Sequence, residues 1–155
     1  MTDYINELDG SALNALGIAD WPYGMADQVR FHELDALAHV NNVAYLRWFE
    51  TLRVRYIQAY AMTSYTPEDP QLVVRAQSAD YLAPMYQDEH YIVATRTRLL
   101  KASSMVMDYV VFSDGVIKAT GDAVVISLEQ DGKTRRPHYT AARDMIIARD
   151  APEIA

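Results

Sequence analysis

The sequence predicts an α+β fold in which a curved antiparallel β-sheet wraps around one long central helix. Residues 42–59 place apolar side chains at steps of three and four, which is the period of an amphipathic helix. Strands that follow one another through short turns pair antiparallel, so the β-rich runs after the helix are expected to form one sheet that covers it. These runs are residues 71–82, 91–99, 105–111 and 116–128.

The residues before this helix predict an extension and a first strand. Residues 1–24 form the extension, in which Ser11 is a suitable N-cap for a short helix and Gly17 is suited to the position past its end. The first strand is expected from Met25 to His32. The extension is expected to pack on the domain, and we assign it no function.

A polar loop between this strand and the central helix concentrates groups that do chemistry. Asp35 precedes His39 by four residues, and Asn41-Asn42 stand immediately before the apolar helix. The helix is expected to begin near Asn42, because an Asn side chain accepts a hydrogen bond from the free amides of a first helical turn. A carboxylate, an imidazole and free backbone N–H groups therefore meet in one short segment, which is predicted to hold the active site.

Turn-forming residues define the rest of the chain. Residues 63–70 contain two prolines and predict a loop, and Ser113-Asp114-Gly115 predicts a hairpin. A terminal helix is expected over residues 140–149, with Ala141, Met145 and Ile146 on its buried side. Because the central helix is apolar around most of its circumference and the sheet has two faces to cover, the chain is expected to form a homo-oligomer.

The composition excludes several classes of function. A formal net charge of −7 and a pI near 4.9 disfavour nucleic-acid binding, which needs a basic surface. The absence of Cys excludes disulfides and thiolate metal sites, and the four His are not at ligand spacing, so neither metal nor cofactor is expected. No apolar run is long enough to cross a membrane, and the first residues lack the basic flank of a signal peptide, so a cytoplasmic location is expected.

The ordered motifs resemble a known family. Asp-x-x-x-His-Val-Asn-Asn from Asp35, followed by Tyr-Leu-x-Trp-Phe-Glu-x-x-Arg and later by Asp80-Tyr-Leu-x-Pro84, resembles the 4-hydroxybenzoyl-CoA thioesterase-like family of acyl-CoA thioesterases. The resemblance spans roughly residues 25–137 and implies a hot-dog fold there, with residues 138–155 as a C-terminal helix and tail. It also implies hydrolysis of an acyl or aroyl thioester at a subunit interface of a homodimer or homotetramer.

The resemblance implies roles for residues of the loop. A thioester carbonyl is cleaved either by a carboxylate nucleophile, through a mixed anhydride, or by water that a carboxylate base activates, and Asp35 suits both. His39 either contacts substrate or orients the loop. The amide of Asn42 is expected to polarise the thioester oxygen, because a helix N-terminus favours negative charge, with plain N-capping as the alternative. Glu50 is the reserve carboxylate, as in another branch of hot-dog enzymes.

Substrate contacts are expected beyond the loop. Tyr45 on the helix, with a purely structural role as the alternative, and Ser103 and Ser104 at a strand start are expected to line the site. Arg98 and Lys101 are expected to reach the phosphates of coenzyme A, with Lys133, Arg135 and Arg136 as the alternative cluster. Whether the acyl group is carried by coenzyme A or by an acyl carrier protein is left open.

Two positions depart from the family pattern. The family often has Gly directly before the His, where this chain has Ala38, and Ala lacks the freedom of Gly at positive φ. It often has Asp two positions before the catalytic Asp, where this chain has Glu33.

Two other functions compete with the thioesterase. One is a non-catalytic acyl-thioester binder with the same fold, and the other is a hot-dog hydratase or dehydratase that uses an Asp/His pair. The placement of Asp35 before Asn41-Asn42 and Tyr45 favours the thioesterase over the hydratase.

Overall fold

A computed structural model describes residues 6–155 of the chain. It contains three α-helices, α1 (Gly10–Ala15), α2 (Asn42–Ala59) and α3 (Thr140–Asp150), and a 3-10 turn at Phe31–Glu33 within these residues. The strands are β1 (Asn6–Asp9), β2 (Tyr23–Gln28), β3 (Gln71–Tyr81), β4 (His90–Leu100), β5 (Ser104–Ser113), β6 (Val116–Leu128) and β7 (Glu153–Ile154). No helix in this described part is long and apolar enough to cross a membrane.

The strands form one seven-stranded sheet, which confirms the predicted α+β class. Its order is β1-β2-β4-β5-β6-β3, and β7 pairs with β4 in parallel outside this path. The five strands that the sequence predicts are all present. The first of them is shorter than expected, because the chain leaves the sheet after Gln28 and turns at Phe31–Glu33.

The chain forms two compact units. The first comprises Met1–Leu52, Ala79–Thr95 and Tyr109–Gly121. In it the first half of α2 packs on the sheet through stacked rings: Trp48 lies on Tyr91 with ring centroids 4.0 Å apart, and Phe49 lies on Tyr109 at 4.7 Å. All four rings are buried, so these stacks fix how α2 lies on β4 and β5.

Residues 6–9 of this unit belong to the sheet. β1 pairs with β2, and the side chain of Asp9, not that of Ser11, caps α1 by accepting a hydrogen bond from the amide of Ala12 at 2.8 Å. Gly24 on β2 has no room for a side chain, because a Cβ there would lie 2.8 Å from the carbonyl oxygen of Val93. A buried apolar cluster fills the space between α1 and the sheet; it comprises Leu8, Leu13, Ile18, Ala94 and Val110.

The second unit comprises Arg53–Ser78, Arg96–Asp108 and Asp122–Ala155. Its terminal helix α3 buries Ala142 and Ile146, whereas Ala141 is exposed and Met145 is half-buried. The predicted face of this helix was therefore wrong by one position at its first member. Ala141 and Ala142 are adjacent and have the same side chain, so the spacing of apolar residues does not show which of the two is buried.

One half-buried carboxylate attaches the end of α3 to the rest of this unit. Asp150 accepts hydrogen bonds from the hydroxyls of Tyr56 and Tyr60, both at 2.6 Å, and from the amide of Thr97 at 2.7 Å. Burial raises the pKa of Asp150, and the hydrogen bonds oppose this. The folded state therefore keeps this proton to higher pH than the unfolded chain, so the contribution of Asp150 to stability falls as pH rises through about 4 towards the folded-state pKa.

We expect Asp150→Ala to lower the free energy of unfolding by about 2 kcal/mol or more, because three donors lose their acceptor in a place that is largely shielded from water. Urea denaturation at neutral pH measures it. Asp144→Ala on the exposed side of the same helix is the matched control and is expected to change stability by less than about 0.5 kcal/mol. Equal effects of the two changes would mean that Asp150 does not anchor α3.

Candidate functional site

The loop that carries Asp35 is closed by its own backbone. Leu34 and Val40 form an isolated antiparallel β-bridge. The amide of Asp35 donates a hydrogen bond to the carbonyl oxygen of His39 at 2.8 Å, and the amide of Ala38 donates one to the carbonyl oxygen of Asp35 at 3.0 Å. One carboxylate oxygen of Asp35, Oδ1, accepts from the amides of Leu37 at 2.8 Å and His39 at 3.3 Å. Within residues 6–155 the other oxygen, Oδ2, accepts no hydrogen bond, and the side chain is exposed.

Ala38 takes the backbone conformation that glycine takes most easily. Its φ is +57°, in the left-handed region, where an L-residue with a Cβ is less stable by about 1–2 kcal/mol. This is the position at which the family often has Gly. The loop thus keeps a left-handed turn without the residue that best suits it.

Glu33 holds the loop to the central helix. Its Oε1 accepts a hydrogen bond from the indole Nε1 of Trp48 at 2.9 Å, and its Oε2 accepts from the amide of Arg30 at 2.8 Å. Its backbone carbonyl accepts from the amide of Asn41 at 2.8 Å. Glu33, whose side chain is longer than the Asp that the family often has here, therefore connects the segment after β2 to α2.

α2 begins at Asn42 as expected, but its capping side chain comes one residue earlier than predicted. Asn41 is the N-cap: its Oδ1 accepts from the amide of Val43 at 2.9 Å, and its carbonyl accepts from that of Ala44 at 2.9 Å. Asn42 is the first helical residue, so its side chain does not cap the helix as expected. Its amide belongs to the first turn, whose N–H groups have no acceptor inside the helix.

A cavity of about 360 Å³ brings the predicted loop residues together. Four predicted residues line this loop cavity, namely Asp35, His39, Asn42 and Tyr45; its other wall residues are Val40, Tyr81, Leu82, Ala83 and Pro84. The imidazole of His39 packs edge-on against the ring of Tyr86, with the ring centroids 5.3 Å apart. Among residues 6–155, the hydrogen bonds between His39 and Asp35 use the backbone of His39 and not its ring. Glu50, the reserve carboxylate, is exposed and does not line the cavity.

Aromatic rings form one wall of the loop cavity. Tyr45 is buried between Trp48 at 4.9 Å and Tyr81 at 5.2 Å, and burial raises the pKa of its hydroxyl to about 12. Tyr81 donates a hydrogen bond to the carbonyl oxygen of Asn42 at 3.0 Å and so ties the end of β3 to the first turn of α2. The sequence placed Tyr81 in a family motif but gave it no role.

The remaining predicted residues lie in the second unit. Arg98 donates to a carboxylate oxygen of Asp108 at 3.0 Å, and this interaction raises its pKa. The carbonyl of Ser103 accepts from Arg135 at 3.2 Å. Lys101 and Ser104 line a separate cavity of about 280 Å³, which we call the cationic cavity.

Neither of two other features contains the predicted site. A cavity of about 660 Å³ lies beside α1, β2 and β4 and is lined by none of the predicted site residues. Among residues 6–155, no three or more His, Asp or Glu side chains are grouped so that they could hold a metal ion.

The chain is similar to known proteins in sequence and in fold. The model of the thioesterase-like superfamily matches residues 29–148. A thioesterase superfamily protein of known structure from Jannaschia sp. CCS1 is 36% identical with a TM-score of 0.93, and the match covers all of both chains. A thioesterase from Thermus thermophilus, solved with coenzyme A and Zn, is 33% identical with a TM-score of 0.74 over 85% of this chain and 97% of its own.

A relative from Bacillus subtilis (strain 168), the uncharacterized protein YsmA, is 29% identical over 104 residues, which are 66% of this chain and 70% of its own. Together with the solved structures, these likenesses confirm the predicted hot-dog fold.

We expect Ala38→Gly to raise the free energy of unfolding by up to about 1 kcal/mol, because the left-handed turn is relieved at some cost in unfolded-chain entropy. Ala36→Gly in the same loop is the control; Ala36 is equally exposed but does not have a positive φ, so Gly there is expected to be neutral or destabilising. Thermal denaturation of both variants measures the difference. A loss of stability in Ala38→Gly as large as in Ala36→Gly would contradict the strain at Ala38.

Proposed function

Since the chain belongs to the thioesterase-like superfamily, we propose that it hydrolyses an acyl or aroyl thioester of coenzyme A to the free acid and coenzyme A, with Asp35 as the catalytic carboxylate. The observation that supports this most directly is the state of that carboxylate. Oδ1 is held by two loop amides, while Oδ2 accepts no hydrogen bond within residues 6–155, on the wall of the loop cavity. The group is oriented by its own turn and keeps one oxygen for the reaction.

Two routes use that oxygen. As a general base, Oδ2 takes a proton from water while the oxygen of that water attacks the thioester carbon, and the proton then passes to the departing thiolate. As a nucleophile, Oδ2 attacks the carbon itself and expels the thiolate, and water then cleaves the resulting mixed anhydride. Both routes end in a free acid and a thiol.

Either route develops negative charge on the thioester oxygen. The first-turn amide of Asn42 lines the same cavity at the positive end of the α2 dipole, and we assign it the stabilisation of this charge. Asn41 supports the assignment, because it satisfies the amides of Val43 and Ala44 and leaves that of Asn42 as the first-turn donor.

His39 and Tyr45 receive positioning and binding roles in this proposal. The backbone of His39 closes the turn that orients Asp35, and its ring lines the cavity. Tyr45 is neutral at physiological pH, because its pKa is about 12, so it offers an aromatic surface and a neutral hydroxyl to an acyl or aroyl group.

A cytoplasmic location stays a prediction.

We expect Asp35→Asn to lower the hydrolysis rate by about 10²-fold or more, because the substitution keeps the size of the side chain and removes its base. Thiol release from a panel of acyl-CoAs and aroyl-CoAs measures it. Asp114→Asn, an exposed hairpin residue outside the loop cavity, is the control and should leave the rate unchanged.

Two results would contradict parts of this proposal. Undiminished turnover in Asp35→Asn would remove Asp35 from the mechanism, and Glu50→Gln would be the next variant. A wild-type protein that binds acyl-CoAs without cleaving any of them would be a binder and not an enzyme.

We also propose that the protein is a homodimer or homotetramer. β3 ends the strand order of the sheet, and none of its eleven residues is buried. Val73 and Val74 on it are 38% and 41% exposed. A long exposed edge strand presents unpaired backbone groups to another chain, and a second copy can pair with it.

We expect light scattering at micromolar concentration to give at least twice the 17.5 kDa mass of the chain. Val73→Lys combined with Val74→Lys is expected to shift the mass towards the monomer, because like charges then face each other across the paired edges. A wild-type mass of 17.5 kDa would contradict the oligomer.

A further inference from the structure

The cavity of about 660 Å³ beside α1 lies in the first unit, away from the loop that carries Asp35. Its floor crosses three strands of the sheet, because Asn6 on β1 pairs with Ala26 on β2, and Ala26 pairs with Ile92 on β4. Residues opposite each other in an antiparallel pair lie on the same face, so these three side chains form one row. Phe112 on β5 also lines this space, which we call the lateral cavity.

The lateral cavity exists because α1 is too short to cover this face of the sheet. The helix has only six residues, and Gly17, with a φ of +81°, follows its end. Ala26, Ile92 and Phe112 pack against the buried cluster beneath α1 but are themselves only partly buried. The apolar face of the sheet therefore continues past the helix into the cavity, and the small side chain of Ala26 leaves room above it.

The charged side chains of the lateral cavity are acidic. Within residues 6–155 its lining contains Asp27 and Asp114 and no Lys or Arg, and its other ionisable residues are His90 and Tyr91. The carboxylate of Asp27 accepts hydrogen bonds from the guanidinium of Arg30 at 3.0 and 3.2 Å, which balances its charge. Asp114 is exposed, and no cation of the described part of the chain lies within 4.0 Å of its carboxylate. One negative charge at the cavity is therefore not balanced there.

These features select the chemistry of a ligand. The volume lies within the range of roughly 300–1,000 Å³ that is typical of small-molecule sites, and the flat apolar floor suits an alkyl or aryl group. A carboxylate or a phosphate would be repelled by Asp114, whereas an ammonium group would be attracted to it. The thioester and both products of the proposed reaction are anions, so this lining does not suit them.

We propose that the lateral cavity is a second ligand site, which binds an organic amine. The apolar body of the amine lies on Ala26, Ile92 and Phe112, and its ammonium group lies beside the carboxylate of Asp114. Most of the affinity comes from the apolar body, because an exposed ion pair contributes little. Several residues of the lining precede the match to the superfamily at residues 29–148, namely Asn6, residues 16–18 and residues 26–28. The N-terminal extension, to which the sequence gave no function, thus helps to build this site.

Three probes with the same naphthalene body separate the contribution of charge from that of apolar contact. They are 1-naphthylmethylamine, 1-naphthylmethanol and 1-naphthoate, each titrated into the full chain at neutral pH and followed by the amide chemical shifts in nuclear magnetic resonance. We expect the amine to shift the amides of Ile92, Phe112 and Gly115 saturably, and to leave those of Asp35 and His39 unchanged. The alcohol should bind about two- to fivefold more weakly, as is typical for loss of an exposed ion pair, and the naphthoate should not shift the cavity amides. The readout needs no thioester hydrolysis, so it is independent of the proposed function.

Two substitutions test the two parts of the site separately. Asp114→Asn removes the charge and keeps the hairpin, because Asn tolerates the φ of +50° at this position. It should raise the Kd of the amine to that of the alcohol and leave the Kd of the alcohol unchanged. Asp144→Asn, on the exposed side of α3, removes a carboxylate outside the lining and is the matched control, which should change neither Kd. Ala26→Leu fills the space above the floor and should raise both by about tenfold or more, because a ligand needs that volume to pack.

Three results would overturn the proposal, provided that thermal denaturation shows each variant to be folded. The first is that the amine does not bind saturably, or that it shifts the amides of Asp35 and His39 instead. The second is equal affinity of the wild type for amine and alcohol, which would make the assignment of an amine wrong. A second copy of the chain is the rival occupant: a mass that falls towards 17.5 kDa in Ala26→Leu, measured by light scattering, would make the cavity an interface and not a ligand site.

Discussion

The position of the loop relative to the central helix depends on the carboxylate of Glu33. This side chain bonds to the indole of Trp48 on α2 and to the amide of Arg30 where the chain leaves the sheet. Trp48 is itself stacked on Tyr91 of β4. A continuous series of contacts therefore runs from the sheet through the helix to the loop that presents Asp35. The position of the turn that carries Asp35 therefore depends on packing that lies outside this turn.

Much of the fold was predictable because the long elements have strong periods. The bounds of α2 and β6 follow from apolar spacing and from flanking turns, and the structure places them where the sequence does. β1 escaped prediction because a strand of four residues has too few alternations to be recognised. Asn41 and Asn42 are chemically equal candidates for the N-cap, so only coordinates decide between them.

The candidate site was predictable to the extent that its residues are neighbours in sequence. Asp35, His39, Asn42 and Tyr45 lie within eleven residues and line one cavity. Arg75 lines the same cavity as Lys101, but the sequence could not place them together, because β4 and most of β3 lie between them and Arg75 stands in no cluster of charge. Arg98 and Lys101 were predicted to act together because they are close in sequence. In the sheet, Arg98 instead forms an ion pair with Asp108.

The attachment of α3 has a consequence for how the molecule can be observed. The amide proton of Thr97 points at the carboxylate of Asp150 over 2.7 Å, in a place where Thr97 itself is buried. Exchange of that proton with solvent deuterium requires this contact to open. The exchange rate of the Thr97 amide, followed by nuclear magnetic resonance, therefore reports how often α3 detaches at Asp150. No label on the helix itself is needed for this measurement.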